Sequence, residues 1–149
     1  IVHRDVKPTN VLLMPEPDPI AKLTDFGIAK LSDATPHTQA GTLIGSARYM
    51  SPELAAGEAG DERADAYALG VTIFELIAGR APFEGEVRSI LARQISEPAP
   101  PLREHAPAAP KALESLVARL LAKHPEERPA EMASVAAELA ELERGSDPA

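Results

Sequence analysis

The chain has 149 residues, 44% of them hydrophobic, a formal net charge of −8 and no cysteine. That is enough apolar material for one core, and the missing cysteines exclude a disulfide framework or a thiolate metal site. An acidic balance without a cluster of Lys and Arg argues against a nucleic-acid surface.

No apolar run approaches the roughly 20 residues that cross a bilayer, so no membrane segment is expected here. Ile1-Val2 follows neither an initiator Met nor a signal-peptide pattern and reads as the middle of a longer chain. Residues 1–10 alternate polar and charged groups without helical period and read as a loop. Val11 to Met14 is a short apolar run that suits a strand, and Ile20 to Thr24 alternates and suits its returning partner. Pro15, Pro17 and Pro19 make the turn between them. The hairpin then ends at Asp25-Phe26-Gly27.

Residues 28–50 are rich in Thr, Ser, Gly and Ala and predict a long loop, a kind that is usually functional or disordered. Ser51-Pro52-Glu53 reads as a helix start, with Ser at the N-cap and Pro in the first turn. From Glu62 to Ala78, apolar residues cover nearly every side, which predicts a buried helix capped by Asp61 and ended by Gly79. Another helix is expected from Gly85 to Ile95, then an irregular proline-rich connector from Pro98 to Pro110. Leu113, Leu116, Val117, Leu120 and Leu121 mark an amphipathic helix starting at Pro110. A last helix is expected from about Ala130 to Leu142, leaving 143–149 as a tail or the start of a linker. The result is a mostly α-helical domain with a short β-hairpin and its polar chemistry at the N-terminal end.

That chemistry begins with HRDVKPTN at residues 3–10. Asp5 in a loop can accept a proton from a hydroxyl. Lys7 can carry negative charge developing on a transferred group, and Asn10 offers a carbonyl oxygen that suits Mg²⁺. Asp25 adds a carboxylate oxygen from a second loop, and Gly27 permits a sharp turn after it. A base, a cation and two hard oxygen ligands without a nucleophile point to positioning of a nucleotide phosphate. Each piece alone is common: a lone HRD or DFG occurs by chance, and charged loops are more often solvated than catalytic. Order and spacing change the odds, because DFG follows the HRD tripeptide and Ser-Pro-Glu follows one loop later.

HRDVKPTN, DFGIAK, GSARYMSPE, DAYALGVTIFELIAGRAPF and KHPEERP occur in that order over Val2 to about Leu142. On these motifs the sequence resembles the C-terminal lobe of a bacterial, eukaryotic-like (Hanks-type) serine/threonine protein kinase, which implies an α+β protein-kinase-like fold over residues 1–142. The resemblance implies ATP and Mg²⁺ as cofactors, with Mn²⁺ as a substitute. It implies a protein substrate offering Ser or Thr, autophosphorylation of the activation segment, and a kinase dimer as a partner. Asp5 would be the catalytic base, Lys7 would neutralise the γ-phosphate, Asn10 and Asp25 would hold Mg²⁺, and Leu12 would lie under the adenine. Ser46 would be the hydroxyl in the substrate-facing loop that touches Asp5 and Lys7; the family usually has Thr there. His3 and Phe26 would stack in a hydrophobic spine. Asp65 would accept backbone N–H groups of the catalytic loop, and Glu53 and Arg128 would form a buried ion pair. Arg4, before the catalytic Asp, implies activation by a phosphate at Thr38 first, then Thr42 or Thr35, with Lys30 as a second cation. His37, His105 and His124 have no ligand spacing and read as surface residues.

The resemblance also defines what is missing. No Gly-rich phosphate loop, no Val-Ala-Ile-Lys strand and no partner Glu helix is present, so these residues read as a lobe cut at the catalytic loop. Alone they are expected to transfer nothing and to expose a sticky face that includes Leu12 and Phe26. A cytoplasmic location is implied, with the longer protein in some relatives anchored by a downstream transmembrane helix. Two alternatives stay open: a pseudokinase or regulatory binding lobe, and a small-molecule phosphotransferase. The second usually has His where Lys7 stands and lacks the Ser-Pro-Glu and helix blocks.

Overall fold

The computed structural model describes residues 2–14, 20–25 and 45–146. Strands β1 (Val11–Met14) and β2 (Ile20–Leu23) pair antiparallel, with Val11 opposite Leu23 and Met14 opposite Ile20. A 3₁₀ turn at Pro8–Asn10 feeds β1, where a plain loop was expected; Pro8 in its first turn suits the turn because it has no N–H to satisfy. The hairpin lies on the surface. Leu12, Leu13 and Ile20 are 52%, 71% and 54% exposed, an apolar patch of the kind expected around Leu12.

The rest is helical: α1 (Pro52–Ala55), α2 (Glu62–Ala78), α3 (Val87–Ser96), α4 (Leu102–His105), α5 (Lys111–Leu120) and α6 (Met132–Ser146). Helix α2 keeps the bounds its caps predict. The Asp61 carboxylate accepts from Arg63 N, and Gly79 adopts φ 73° and bonds back to Glu75 O at 2.8 Å. Its burial is less complete than its composition suggests. Tyr67, Val71 and Phe74 are fully buried, but Leu76 and Ile77 in its last turn are exposed.

Helix α5 packs on α2, α4 on both, α6 on α5, and α1 on α3. One core joins Tyr67, Val71 and Phe74 to Leu102, Val117 and Leu121; a second joins Ala66 to Leu116, Leu120 and Val135. Gly70 lets α5 approach α2, since a Cβ there would lie 2.8 Å from the Leu120 Cβ.

Three further elements differ from expectation. The proline-rich connector contains the one-turn helix α4, which Leu102 anchors in the core while Pro101 precedes it. Ser51 has the extended backbone of an N-cap, but its side chain makes no capping bond. Helix α6 starts at Met132 and continues through Glu143 and Arg144 to Ser146, because polar residues extend a helix that needs only one apolar face. His105 and His124 are exposed, and the His105 ring meets Phe74 edge-on at 6.0 Å.

Candidate active site

The loop before β1 folds back on itself. Lys7 Nζ lies 2.9 Å from Asp5 Oδ2. Asn10, itself buried, donates from Nδ2 to the same oxygen at 3.0 Å and to the Asp5 carbonyl at 2.8 Å. The first two contacts orient the Asp5 carboxylate, and the third holds its backbone. Because the Asn10 amide nitrogen is committed here, the carbonyl half of the side chain remains as an oxygen donor.

Two more contacts fix this loop against the rest of the fold. Thr24 donates to the Asn10 carbonyl from its backbone N–H at 2.8 Å and from Oγ1 at 3.2 Å, which brings the following residue, Asp25, to the Asn10 end of the hairpin. Asp65, in the first turn of α2, accepts the backbone N–H of His3 at 2.6 Å and that of Arg4 at 2.8 Å. His3 is buried, with Nδ1 accepting from Asp5 N at 3.2 Å and Nε2 3.1 Å from the Thr24 carbonyl. A neutral ring protonated on Nε2 satisfies both.

Arg4 and Asp25 have φ of 65° and 56°, the two positive values among non-glycine described residues. Each such residue costs ~1–2 kcal/mol, and both flank Asp5 and Asn10, where Asp65 and Thr24 hold the backbone.

A cavity of about 450 Å³ opens beside Asp5, lined among others by Arg4, Ser46, Tyr49, Met50, Glu58 and Asp65. Residues 45–47 form a helical turn at its edge, so Ser46 shares this cavity with Asp5. Leu12 stands on the exposed hairpin. Phe26, Lys30, Thr35, His37, Thr38 and Thr42 lie outside the described residues.

Glu53 and Arg128 meet in a two-pronged ion pair, with 2.8 Å on both prongs and side chains 7% and 0% exposed. Arg128 spends its other donors on the carbonyls of Ala122, Arg63 and Lys123, so all five guanidinium protons are used. Burial, the largest single influence, pushes the Glu53 carboxyl up, but the Arg128 hydrogen bond, a backbone hydrogen bond and the Arg128 charge together bring it below the usual range. The Arg128 guanidinium lies over the Tyr67 ring, and Lys123 lies over both Tyr67 and Phe83. Burial lowers the Lys123 pKa to about 8, against the pull of Glu97.

Sequence reasoning missed the side chains that hold residues 46–50. Tyr49 donates to Glu75 on α2, and Gln94 on α3 donates to the Arg48 carbonyl at 2.7 Å. Burial, followed by the Glu75 bond, pushes the Tyr49 hydroxyl well above its ordinary pKa. Tyr49 sat inside a quoted motif, but nothing in the sequence paired it with Glu75 or marked Gln94.

Residues 1–140 match the protein kinase domain. The chain belongs to the protein kinase family. It is 47% identical over 139 residues to the serine/threonine-protein kinase Pkn1 of Myxococcus xanthus, an alignment that takes in 90% of this chain and 20% of Pkn1. It is 39% identical over 152 residues to PknB of Mycolicibacterium smegmatis, covering 99% of this chain and 24% of that kinase. With PknA of Mycobacterium tuberculosis it shares 42% over 126 residues, 84% of this chain and 28% of the relative. The chain thus spans between a fifth and a third of the length of these relatives. All three carry the name serine/threonine-protein kinase and come from bacteria, in agreement with the resemblance drawn from the motifs. The mostly helical fold with its two-stranded antiparallel sheet is consistent with part of such a domain. No helix among the described residues is long and apolar enough to cross a membrane.

Proposed function

We propose that this chain is the C-terminal lobe of an ATP-dependent serine/threonine protein kinase, and that the whole protein transfers the γ-phosphate to Ser or Thr hydroxyls of proteins. The observation that carries this reading is the Asp5 carboxylate, held on one oxygen by Lys7 and Asn10 and facing a cavity shared with Ser46. In this reading Asp5 takes the proton of the acceptor hydroxyl and orients its oxygen. Lys7, already paired with Asp5, lies where it can also bear the charge of the transferred group. Ser46 would offer its hydroxyl from the edge of the cavity it shares with Asp5.

The donor set fits Mg²⁺. The Asn10 carbonyl oxygen and the Asp25 carboxylate are hard oxygen ligands brought to one end of the hairpin by the Thr24–Asn10 bonds. Among the described residues no group of three or more His, Cys, Asp or Glu could hold a metal, and a two-ligand set completed by water and phosphate needs none. The metal ion, Mg²⁺ or Mn²⁺, would supply positive charge at the phosphate oxygens. Leu12 would contact the adenine from the exposed hairpin.

Arg4 is exposed beside the cavity, and with Lys30 it would receive a phosphate on Thr38, Thr42 or Thr35. The experiment is incubation of the full-length protein with labelled ATP and Mg²⁺, followed by phosphoamino-acid analysis and site mapping. Label on Ser and Thr of protein, including residues 35–42, is expected. Label on small molecules alone, or none, contradicts the proposal.

A further inference from the structure

The segment from Ser46 to Met50 borders the cavity beside Asp5. Its own backbone bonds, Tyr49 N to Ser46 O and Met50 N to Ala47 O, are local and do not place it against the fold. Side chains from two helices do. Tyr49 reaches Glu75 on α2, and Gln94 on α3 reaches the Arg48 carbonyl.

Gln94 is fully buried. Its Nε2 faces the loop and its Oε1 accepts from the Tyr67 hydroxyl. Lys123 Nζ donates to that hydroxyl at 3.3 Å and to the carbonyls of Arg93 and Gln94 at 3.3 and 2.8 Å. One amide therefore has one end committed to the loop and the other to a polar network in the core. A buried amide is costly unless both halves are bonded, and an apolar residue of the same size would fill the space without that demand. Packing does not explain a glutamine here, whereas a fixed Arg48 carbonyl does.

We propose that Gln94 is a positioning residue for protein substrates: it fixes the backbone at Arg48, and with it the cavity edge from Ser46 to Met50, so that an acceptor segment docks in register with Asp5. This rests on the kinase reading above and deepens it. Gln94 touches no reacting atom and acts through the Arg48 carbonyl. The groups assigned to nucleotide and metal, Leu12, Asn10 and Asp25, make no bond to Gln94, so its effect belongs to the acceptor side.

The test uses the full-length protein with dephosphorylated casein as acceptor. Gln94→Met keeps the volume and removes both bonds. It is expected to raise KM for casein about five- to tenfold, the worth of one hydrogen bond, while KM for ATP stays within about twofold. Gln94→Glu keeps the acceptor for Tyr67, loses the donor toward Arg48 and is expected to show the same split, which keeps the test open if Gln94→Met does not fold. Tyr67→Phe breaks the other half of the network and is expected to lower the melting temperature while leaving KM for casein within about twofold. An unchanged casein KM in a folded Gln94 variant overturns the proposal. So does an equal KM rise in Tyr67→Phe, because general loosening of the core would then suffice. If the unmodified protein transfers no phosphate, the kinase reading fails separately. Hydrogen exchange of amides 48–50 then decides the structural half: faster exchange in the Gln94 variants supports it and unchanged exchange overturns it.

Discussion

Asp65 and His3 are 62 positions apart and are joined by a 2.6 Å bond from the His3 backbone N–H to the Asp65 carboxylate. The other carboxylate oxygen takes the Arg4 N–H, so one side chain at the start of α2 holds the loop that presents Asp5. It also holds Arg4 at positive φ. Asp65→Ala leaves two N–H groups without their partner. A loss of ~1–3 kcal/mol is expected, with faster hydrogen exchange at residues 3–5. Asp65→Asn keeps one acceptor oxygen and should lose less. Denaturant midpoints and amide exchange check both.

The Glu53–Arg128 pair answers differently to its two halves being removed together or apart. Arg128→Met strands a buried carboxylate and should cost ~3–5 kcal/mol. The double variant Glu53→Met with Arg128→Met should recover part of that, because the buried charge goes too. Chemical denaturation of the singles and the double measures this coupling.

The same pair sets a pH dependence. The Glu53 carboxyl titrates below its ordinary 4.5 in the folded chain, so its contribution is present above that pH. It is lost as pH falls from about 4.5 through the lower folded value. Melting temperatures between pH 6 and 3 should fall more steeply for the unmodified chain than for the double Met variant. Parallel curves would contradict this.

Gly70→Ala tests the contact of α2 with α5. The added Cβ meets the Leu120 Cβ at 2.8 Å and Leu121 Cδ2 at 3.1 Å. Overpacking of this kind costs ~1–3 kcal/mol, more than the helix propensity Ala gains over Gly. Leu120→Ala should not rescue it, since the clashing Cβ remains. A lowered melting temperature in both the single and the double variant is the expected result.

These sites also show what could be read from the sequence. Helix α2 was legible because Asp61 and Gly79 bracket a dense apolar run, and the hairpin because its two strands flank three prolines. Helix α4 was not, because one turn between prolines is too short for a period to register. The end of α6 was missed because the apolar pattern stops at Leu142 while the backbone continues to Ser146. The exposure of Leu76 and Ile77 was hidden for a similar reason: composition does not say which turn of a helix its neighbours cover. Within the candidate site, the nearness of Asp5, Lys7 and Asn10 was legible because they lie close in sequence as well as in space. The Gln94–Arg48 bond spans 46 positions, and no local spacing encodes it.

The proposed role of Asp5, orienting and deprotonating an acceptor hydroxyl, is read from the initial rate of phosphate transfer from labelled ATP to protein, comparing the full-length protein with Asp5→Asn. The amide keeps the size and one carbonyl acceptor but loses the charge paired with Lys7. A fall in kcat of about 10²–10⁴-fold is expected, with KM for ATP little changed and the melting temperature close to that of the unmodified protein. An Asp5→Asn protein that folds and transfers phosphate at the unmodified rate would contradict it.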